Sequence, residues 1–146
     1  MEVQSIAANG FDDFIKATLA TWGIRELTAI QKNAVKAGVV QGQSLIVSAP
    51  TSSGKTLVGE LGALAGLRRG KRIIYLVSHK ALADQKYQDF RQRFGEEAAS
   101  PLASVGLSTG DREEGESPRV LRRLQILREW SPYEQEIYPE VFARSS

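Results

Sequence analysis

The segment APTSSGKT at residues 49–56 is the feature that most constrains this chain. It has the spacing of a phosphate-binding loop, with Ala49 where many such loops carry glycine. The apolar run at residues 44–48 predicts a buried strand before the loop, and residues 57–61 predict the opening of a helix after it. This order suits a phosphate site, because a helix N-terminus presents free N–H groups and a partial positive charge.

The loop residues have distinct expected roles. Backbone N–H groups of residues 52–55 are expected to surround phosphate oxygens, and Gly54 lets the backbone approach without a Cβ. Lys55 is expected to place its charge at the β and γ phosphates and to act in catalysis, while the Thr56 hydroxyl is expected to ligate Mg²⁺. The alternative is a Ser/Gly turn that precedes Lys-Thr by chance. The predicted nucleotide contacts in the loop are Ala49, Pro50, Thr51, Ser52, Ser53, Gly54, Lys55 and Thr56.

Composition limits the remaining possibilities. The 146 residues suffice for one domain with a real core, and 42% hydrophobic and 25% charged residues are typical of a folded protein. The chain has no cysteine and one histidine, His79, which excludes disulfides, thiolate sites and a histidine metal cluster. No apolar stretch approaches membrane-spanning length, and residues 1–5 do not resemble a secretory signal. We therefore expect a cytoplasmic protein without a membrane segment.

Positive charge is concentrated between residues 68 and 93. Eight lysines and arginines lie there against two aspartates, although the formal net charge of the chain is only +2. Such a stretch is compatible with a phosphate-backbone partner, and equally with a solvated helix face and loop.

Helical and strand patterns alternate along the chain. Strand, helix, strand, helix, strand at this spacing predicts a parallel sheet with right-handed crossovers, flanked by helices, which is the α/β phosphate-loop architecture. Residues 117–130 predict a basic amphipathic helix. Helices are predicted at residues 11–22 and 28–40, from the end of the phosphate-binding loop to about residue 67, and at residues 80–94. Strands are predicted at residues 44–48, 72–77 and 102–107.

Three further segments point to a family. They are GIRELTAIQ at 23–31, SHKALADQK at 78–86 and VGLSTGD at 105–111. Together with the loop, they resemble the Q motif and motifs I, Ia and Ib of superfamily two DEAD/DExH-box helicases, particularly superkiller-type RNA helicases and DNA repair helicases. The resemblance covers roughly residues 11–112 and implies a RecA-like fold, with only part of the first motor domain present.

The resemblance also implies partners and contacts. It implies ATP and Mg²⁺ as cofactors, with the Gln31 carboxamide contacting the adenine edge; the alternative for Gln31 is an exposed glutamine at a helix start. It implies contacts to the sugar-phosphate backbone of one nucleic acid strand, DNA or RNA, where helix capping and turn chemistry are the alternative. Ser78 stands where the family commonly has proline. The implied backbone contacts are Lys80, Gln85, Ser108, Thr109 and Gly110.

One family motif is missing from the sequence. Hydrolysis in the family uses motif II, an apolar strand ending in Asp-Glu-x-His or Asp-Glu-x-Asp, and the chain has no Asp-Glu pair in that order. We expect residues 1–116 to be a partial helicase ATP-binding domain. Residues 117–146 are expected to be a non-matching basic tail of a truncated or frame-shifted product.

Three functions therefore stay open at this point. The chain is the ATP-binding N-terminal portion of an ATP-dependent helicase, or a catalytically inactive module that binds nucleotide and nucleic acid. The third is a small phosphate-loop kinase, which would not need Gln31 and would need an arginine-bearing lid.

Overall fold

The computed structural model divides the chain into two units, Met1–Lys71 and Arg72–Ser146. Each unit is described by itself. The structure describes residues 2–7, 10–50, 52–77, 80–95, 97–98, 102–108, 113–114 and 123–127.

The first unit begins with a short 3₁₀ helix, Val3–Ser5, followed by helix α1, Asp13–Thr21. Helix α1 starts where Asp12 accepts a hydrogen bond from the backbone N–H of Ile15, which satisfies one of the unpaired N–H groups of the first turn. It ends before Gly23, whose φ of 77° is left-handed. The sequence-predicted helix at residues 11–22 is therefore confirmed.

Helix α2 spans Ala29–Lys36, and a 3₁₀ turn follows at Val39–Gln41. The sequence predicts one helix over residues 28–40. It breaks earlier because Gly38 adopts a left-handed φ of 97°, which interrupts the α-helical hydrogen bonds before the 3₁₀ turn. Gly42 is also left-handed and ends that turn.

Helix α3, Lys55–Arg68, is the long helix of the first unit. Its buried residues cover most of its circumference, as in a core helix, and leave only the side with Gly59, Gly62 and Gly66. The helix packs against α2 and the 3₁₀ turn. Gly70, with a φ of 79°, closes it, near the predicted end at about residue 67. None of the helices in the described residues is long and apolar enough to cross a membrane.

The predicted buried strand at residues 44–48 is wrong. Residues 43–50 have no regular secondary structure, and the Ile46 side chain is 101% exposed. Leu45 and Val47 are half-buried, in a shallow cavity that also involves α2. The alternation of exposed and half-buried side chains indicates an extended segment with one partly buried face. A β-strand also needs a neighbouring strand to pair its N–H and C=O groups. Among the described residues, no strand pairs with residues 44–48.

The second unit contains the sheet. Strand β1 is Ile73–Leu76, helix α4 is Lys80–Arg93, and strands β2, β3 and β4 are Ser104–Ser108, Glu113–Glu114 and Arg123–Leu127. The strand order is β1-β4-β2-β3. Strand β4 pairs in parallel with both β1 and β2, whereas β3 pairs antiparallel with β2. The predicted α/β class and the strands at 72–77 and 102–107 are confirmed.

Strand β4 overturns the amphipathic-helix prediction for the part of residues 117–130 that the structure describes. Arg123–Leu127 is a central strand with hydrogen-bonded neighbours on both sides. Intrinsic preference for a helix is weak, and a gap between two parallel strands satisfies the backbone of a five-residue segment on both edges. Residues 115–122 and 128–146 lie outside the described part.

Aromatic residues form the core around α4. Tyr75 of β1 meets Phe90 edge to face with ring centroids 5.0 Å apart, and Phe90 meets Phe94 at 5.5 Å. The Phe94 carbonyl then accepts hydrogen bonds from the N–H groups of Leu102 and Ala103. The chain leaving α4 is thereby fixed at the start of β2.

An ion pair joins α1 to α3 in the first unit. Asp12, the cap of α1, pairs with Arg68 in the last turn of α3, and the Arg68 guanidinium lies 4.8 Å from the centre of the Phe14 ring. The hydrogen bond from Arg68 holds the pKa of Asp12 below its ordinary value of 3.8. Asp12 therefore acts both as a helix cap and as a charge partner.

Two substitutions of Asp12 separate these roles. Asp12→Asn keeps the cap and removes the charge, whereas Asp12→Ala removes both and is expected to cost about 1 kcal/mol more. The folded pKa is lowered, so the charge contributes stability above pH 3.8 and this contribution is lost as the pH falls through the folded pKa. Urea unfolding from pH 7 to pH 3 should show the stability difference between wild type and Asp12→Asn becoming smaller toward the acid end. A constant difference across that range would contradict the ion-pair assignment.

Candidate nucleotide-binding site

The phosphate-loop sequence lies at the N-terminus of α3. Gly54 is the N-cap, Lys55 is the first helical residue, and the Lys55 and Thr56 side chains are exposed. The first N–H groups of an α-helix have no partner within the helix, and the positive end of its dipole lies there. The predicted charge, hydroxyl and helix terminus are therefore brought together on one accessible turn.

Two side chains from the start of α2 hold this loop. The Thr28 hydroxyl donates to the Ser53 carbonyl at 3.0 Å, and the Gln31 amide nitrogen donates to the Gly54 carbonyl at 3.1 Å. Both carbonyls belong to consecutive loop residues. We call this pair of hydrogen bonds the loop clamp.

The same two residues also form a capping box for α2. The Thr28 hydroxyl accepts from the Gln31 backbone N–H, and the Gln31 side-chain oxygen accepts from the Thr28 N–H at 2.8 Å. The box fixes both side chains before they reach the loop.

Gln31 is 5% exposed, so the alternative of an exposed glutamine at a helix start is excluded. Each of its two amide atoms makes one hydrogen bond within the protein, to Thr28 and to Gly54. A carboxamide has two donor hydrogens and two acceptor lone pairs, so each atom keeps one further bond to offer. Adenine contact by Gln31 stays a prediction.

Gly54 is required by the clamp as well as by its backbone angle. Its φ is 91°, and a Cβ at this position would lie 2.3 Å from the Gln31 amide nitrogen and 3.1 Å from the Thr28 hydroxyl. A side chain at residue 54 would therefore displace the clamp.

The loop turns sharply before Gly54. The Ser53 hydroxyl and the Ser53 N–H both donate to the Pro50 carbonyl, at 2.6 and 3.2 Å. That N–H is directed within the loop, whereas the sequence predicts it to face phosphate. Ser52 has a φ of 68°, and in the described part of the chain it is the one non-glycine residue with a positive φ. Such a conformation costs roughly 1–2 kcal/mol.

The residues predicted to contact nucleic acid belong to the second unit. Lys80 and Gln85 are exposed on α4, which follows β1, and Ser108 is the last residue of β2. Since β1 and β2 are both parallel to β4, their carboxyl ends lie at the same edge of the sheet. The structure therefore brings Ser108 and the start of α4 to one edge.

Several predicted residues lie outside the described part of the chain. These are Thr51 of the loop, Ser78 and His79 before α4, Thr109 and Gly110 after β2, and the side chain of Ser108.

Thr28 contacts the loop, although the sequence motifs alone do not assign it to the site. Its signal was present as a threonine three residues before a glutamine, the spacing of a capping box. That pattern predicts the helix start but says nothing about the loop carbonyl that the hydroxyl reaches.

Comparison with known families decides the assignment. The model of the DEAD/DEAH box helicase family matches residues 28–128, from the capping box through β4. The chain belongs to this family. The matched range runs past residue 116, the predicted end of the helicase domain.

Known relatives support the same assignment. The chain is 40% identical over 94 residues to a probable ATP-dependent helicase of Methanocaldococcus jannaschii, covering 64% of this chain and 12% of that protein. It is 40% identical over 99 residues to the chloroplastic DExH-box ATP-dependent RNA helicase DExH15 of Arabidopsis thaliana, covering 67% and 8%. It is 43% identical over 82 residues to the ATP-dependent DNA helicase Hel308 of Thermococcus kodakarensis, covering 56% and 7%. The chain thus spans about a tenth of the length of these relatives.

The positive φ of Ser52 generates a test of the loop geometry. Ser52→Gly should raise the free energy of unfolding by roughly 0.5–1 kcal/mol, because relief of strain outweighs the entropy cost of glycine. The matched control, Ser53→Gly, should lower it by about 1 kcal/mol, since it loses the hydroxyl bond to Pro50 and gains no relief. Chemical denaturation measures both. Equal effects of the two substitutions would contradict the assigned backbone angles.

Proposed function

We propose that the chain is the ATP-binding N-terminal portion of an ATP-dependent nucleic acid helicase. The observation that carries this proposal is the loop clamp, in which Thr28 and Gln31 of the Q motif hold the carbonyls of Ser53 and Gly54. Family membership and the ATP-dependent relatives support it.

The residues of the loop fit a magnesium–nucleotide complex. An exposed cation, an exposed hydroxyl and the N–H groups of a 14-residue helix converge at the start of α3. Lys55 would neutralise charge on the β and γ phosphates, and Thr56 would supply an oxygen ligand to Mg²⁺. The clamp would keep the two carbonyls turned away from the phosphates, which they would repel. Gln31 would in addition contact the adenine edge with its remaining donor and acceptor.

The second partner in this proposal is one nucleic acid strand. Lys80 and Gln85 on α4, Ser108 at the end of β2, and the following Thr109 and Gly110 would contact its sugar-phosphate backbone. Support comes from the shared sheet edge of α4 and β2, and from relatives that include a DNA helicase and an RNA helicase.

The alternative is a module that binds both ligands without turnover. The sequence has no Asp-Glu pair to hold the metal and orient water as motif II does. On this ground we expect the chain as it stands to show no ATPase above background. Phosphate release with Mg²⁺, with and without single-stranded DNA or RNA, distinguishes the two. Stimulated release that Lys55→Ala abolishes would show that another acid of the chain replaces motif II.

Lys55→Ala tests nucleotide binding. It should remove a charge-assisted contact of roughly 1.5–3 kcal/mol and weaken ATP binding about tenfold or more. Lys36→Ala, at an exposed position in the last turn of α2, makes the same charge change away from the loop and should leave affinity unchanged. Titration of a fluorescent ATP analogue into the folded variants measures this. Equal affinities of wild type and Lys55→Ala would exclude the loop as the nucleotide site.

Substitutions of Gln31 and Thr28 distinguish contact with adenine from support of the loop. Gln31→Ala should abolish the preference for ATP over GTP and leave a residual phosphate-driven affinity. Thr28→Val removes the hydroxyl bond to the Ser53 carbonyl, so it should weaken both nucleotides by a similar factor, roughly fivefold, and preserve the preference. Competition titrations give the two ratios. If the wild type binds ATP and GTP equally, Gln31 does not recognise the base and acts only in the loop clamp.

A further inference from the structure

Residues 44–48 form an unpaired apolar segment in the first unit, which we call the open segment. The Leu45 and Val47 side chains are half-buried in the shallow cavity that α2 also lines, whereas the Ile46 side chain between them is 101% exposed. In the described part of the chain, the backbone N–H and C=O groups of the open segment make no hydrogen bond. The segment therefore presents an exposed isoleucine together with backbone groups that a neighbouring strand could bond.

Charge does not protect this segment from another chain. Residues 37–54 contain no lysine, arginine, aspartate or glutamate. Folded proteins usually keep exposed strand edges apart with charged side chains, proline or a covering element, and the nearest proline, Pro50, lies beyond the segment. An extended, uncharged and apolar segment is a template for pairing with a further strand.

The sequence of the open segment is nearly symmetric. It is Ser-Leu-Ile-Val-Ser, which reads almost the same in either direction. When two copies pair antiparallel about residue 46, each serine faces a serine, Leu45 faces Val47, and Ile46 faces its own copy. Side chains alternate along a strand, so Leu45 and Val47 of both copies stay on the half-buried face. The two Ile46 side chains become direct neighbours, and each covers part of the other.

We propose that a second copy of this chain pairs with the open segment, antiparallel and centred on Ile46, and forms a homodimer with a two-fold axis. A two-fold interface brings the same surface of each copy together, so that surface must complement itself. The nearly symmetric sequence meets this condition, whereas pairing with an unrelated strand does not require it.

Two further properties favour a second copy as the partner. An isolated pair of strands is only marginally stable, and packing against a helix stabilises it. Each copy brings its own helix, since Ile30 and Ala34 of α2 line the same cavity as Leu45 and Val47. The open segment also lacks any charge that would select an acidic or a basic peptide.

Disulfide cross-linking tests the pairing and its register. The chain has no cysteine, so Ser44→Cys and Ser48→Cys each introduce a single thiol. In the proposed pair, residue 44 of one copy lies opposite residue 48 of the other, with Cα atoms about 4.5–5.5 Å apart, which is within the span of a disulfide. The two residues 44 are four positions apart along the pair, about 14 Å, which no disulfide spans.

Mild oxidation of an equimolar mixture of the two variants should therefore give cross-linked dimer roughly tenfold faster, or more, than oxidation of either variant alone. Non-reducing electrophoresis over time measures the rates, and circular dichroism checks that each variant is folded. Faster cross-linking of either variant alone would indicate parallel pairing. That result, equal rates, or no cross-linking in the mixture would overturn the proposal.

Substitution of Ile46 gives a second readout. Ile46→Lys places like charges opposite each other and removes the apolar contact across the axis, so it should weaken dimerisation roughly tenfold or more. Ile46→Glu should do the same, and mixing the two variants should restore association because opposite charges then face each other. The matched control is Leu76→Lys, at the other exposed large hydrophobic residue of the described part of the chain, and it should dimerise as wild type does.

Sedimentation equilibrium over a range of concentrations measures these affinities. Wild type should shift from monomer toward dimer as the concentration rises. A wild type that stays monomeric, or an Ile46→Lys variant that dimerises as tightly as Leu76→Lys, would overturn the proposal. Loss of the dimer in Leu76→Lys alone would place the interface at β1 and overturn it as well. These readouts need no nucleotide or nucleic acid, so their failure leaves the proposed function standing.

Discussion

The candidate site depends on two backbone carbonyls of the loop that side chains of α2 hold in place. Thr28 and Gln31 hold the carbonyls of Ser53 and Gly54 at hydrogen-bond distance. A carbonyl oxygen is partially negative and would repel a phosphate oxygen, so its direction decides whether a glycine-rich turn can bind an anion. The capping box of α2 orders the two side chains, and α3 begins at the turn they hold.

The loop clamp also explains why the loop tolerates so little change. Gly54 is constrained twice, by its left-handed backbone and by the amide of Gln31, which lies where a Cβ would be. Ser52 has a left-handed φ without being glycine. Strain of this kind persists where surrounding bonds determine the backbone, and Ser53 is bonded on one side to Pro50 and on the other to Thr28.

Much of the fold and the site could be predicted from local sequence, and the two errors in strand assignment have one physical cause. Helices α1, α3 and α4 and strands β1 and β2 follow from hydrophobic periodicity, caps and glycine positions. In two segments the prediction of strand or helix was wrong. Residues 44–48 are apolar enough for a strand but lack a paired neighbour, whereas residues 123–127 have a helical pattern and are paired on both sides. Pairing is a long-range property that a local pattern does not contain.

The sequence by itself determined the phosphate-loop motif, its place before a helix and the family to which the chain belongs, because these depend on short-range spacing. Only the tertiary structure decided that Thr28 belongs to the site, that Gln31 is buried with both amide atoms bonded, and that β4 lies between β1 and β2. Each of these depends on groups distant along the chain. The Thr28 hydroxyl and the Ser53 carbonyl are 25 residues apart in sequence, and folding alone brings them within hydrogen-bond distance.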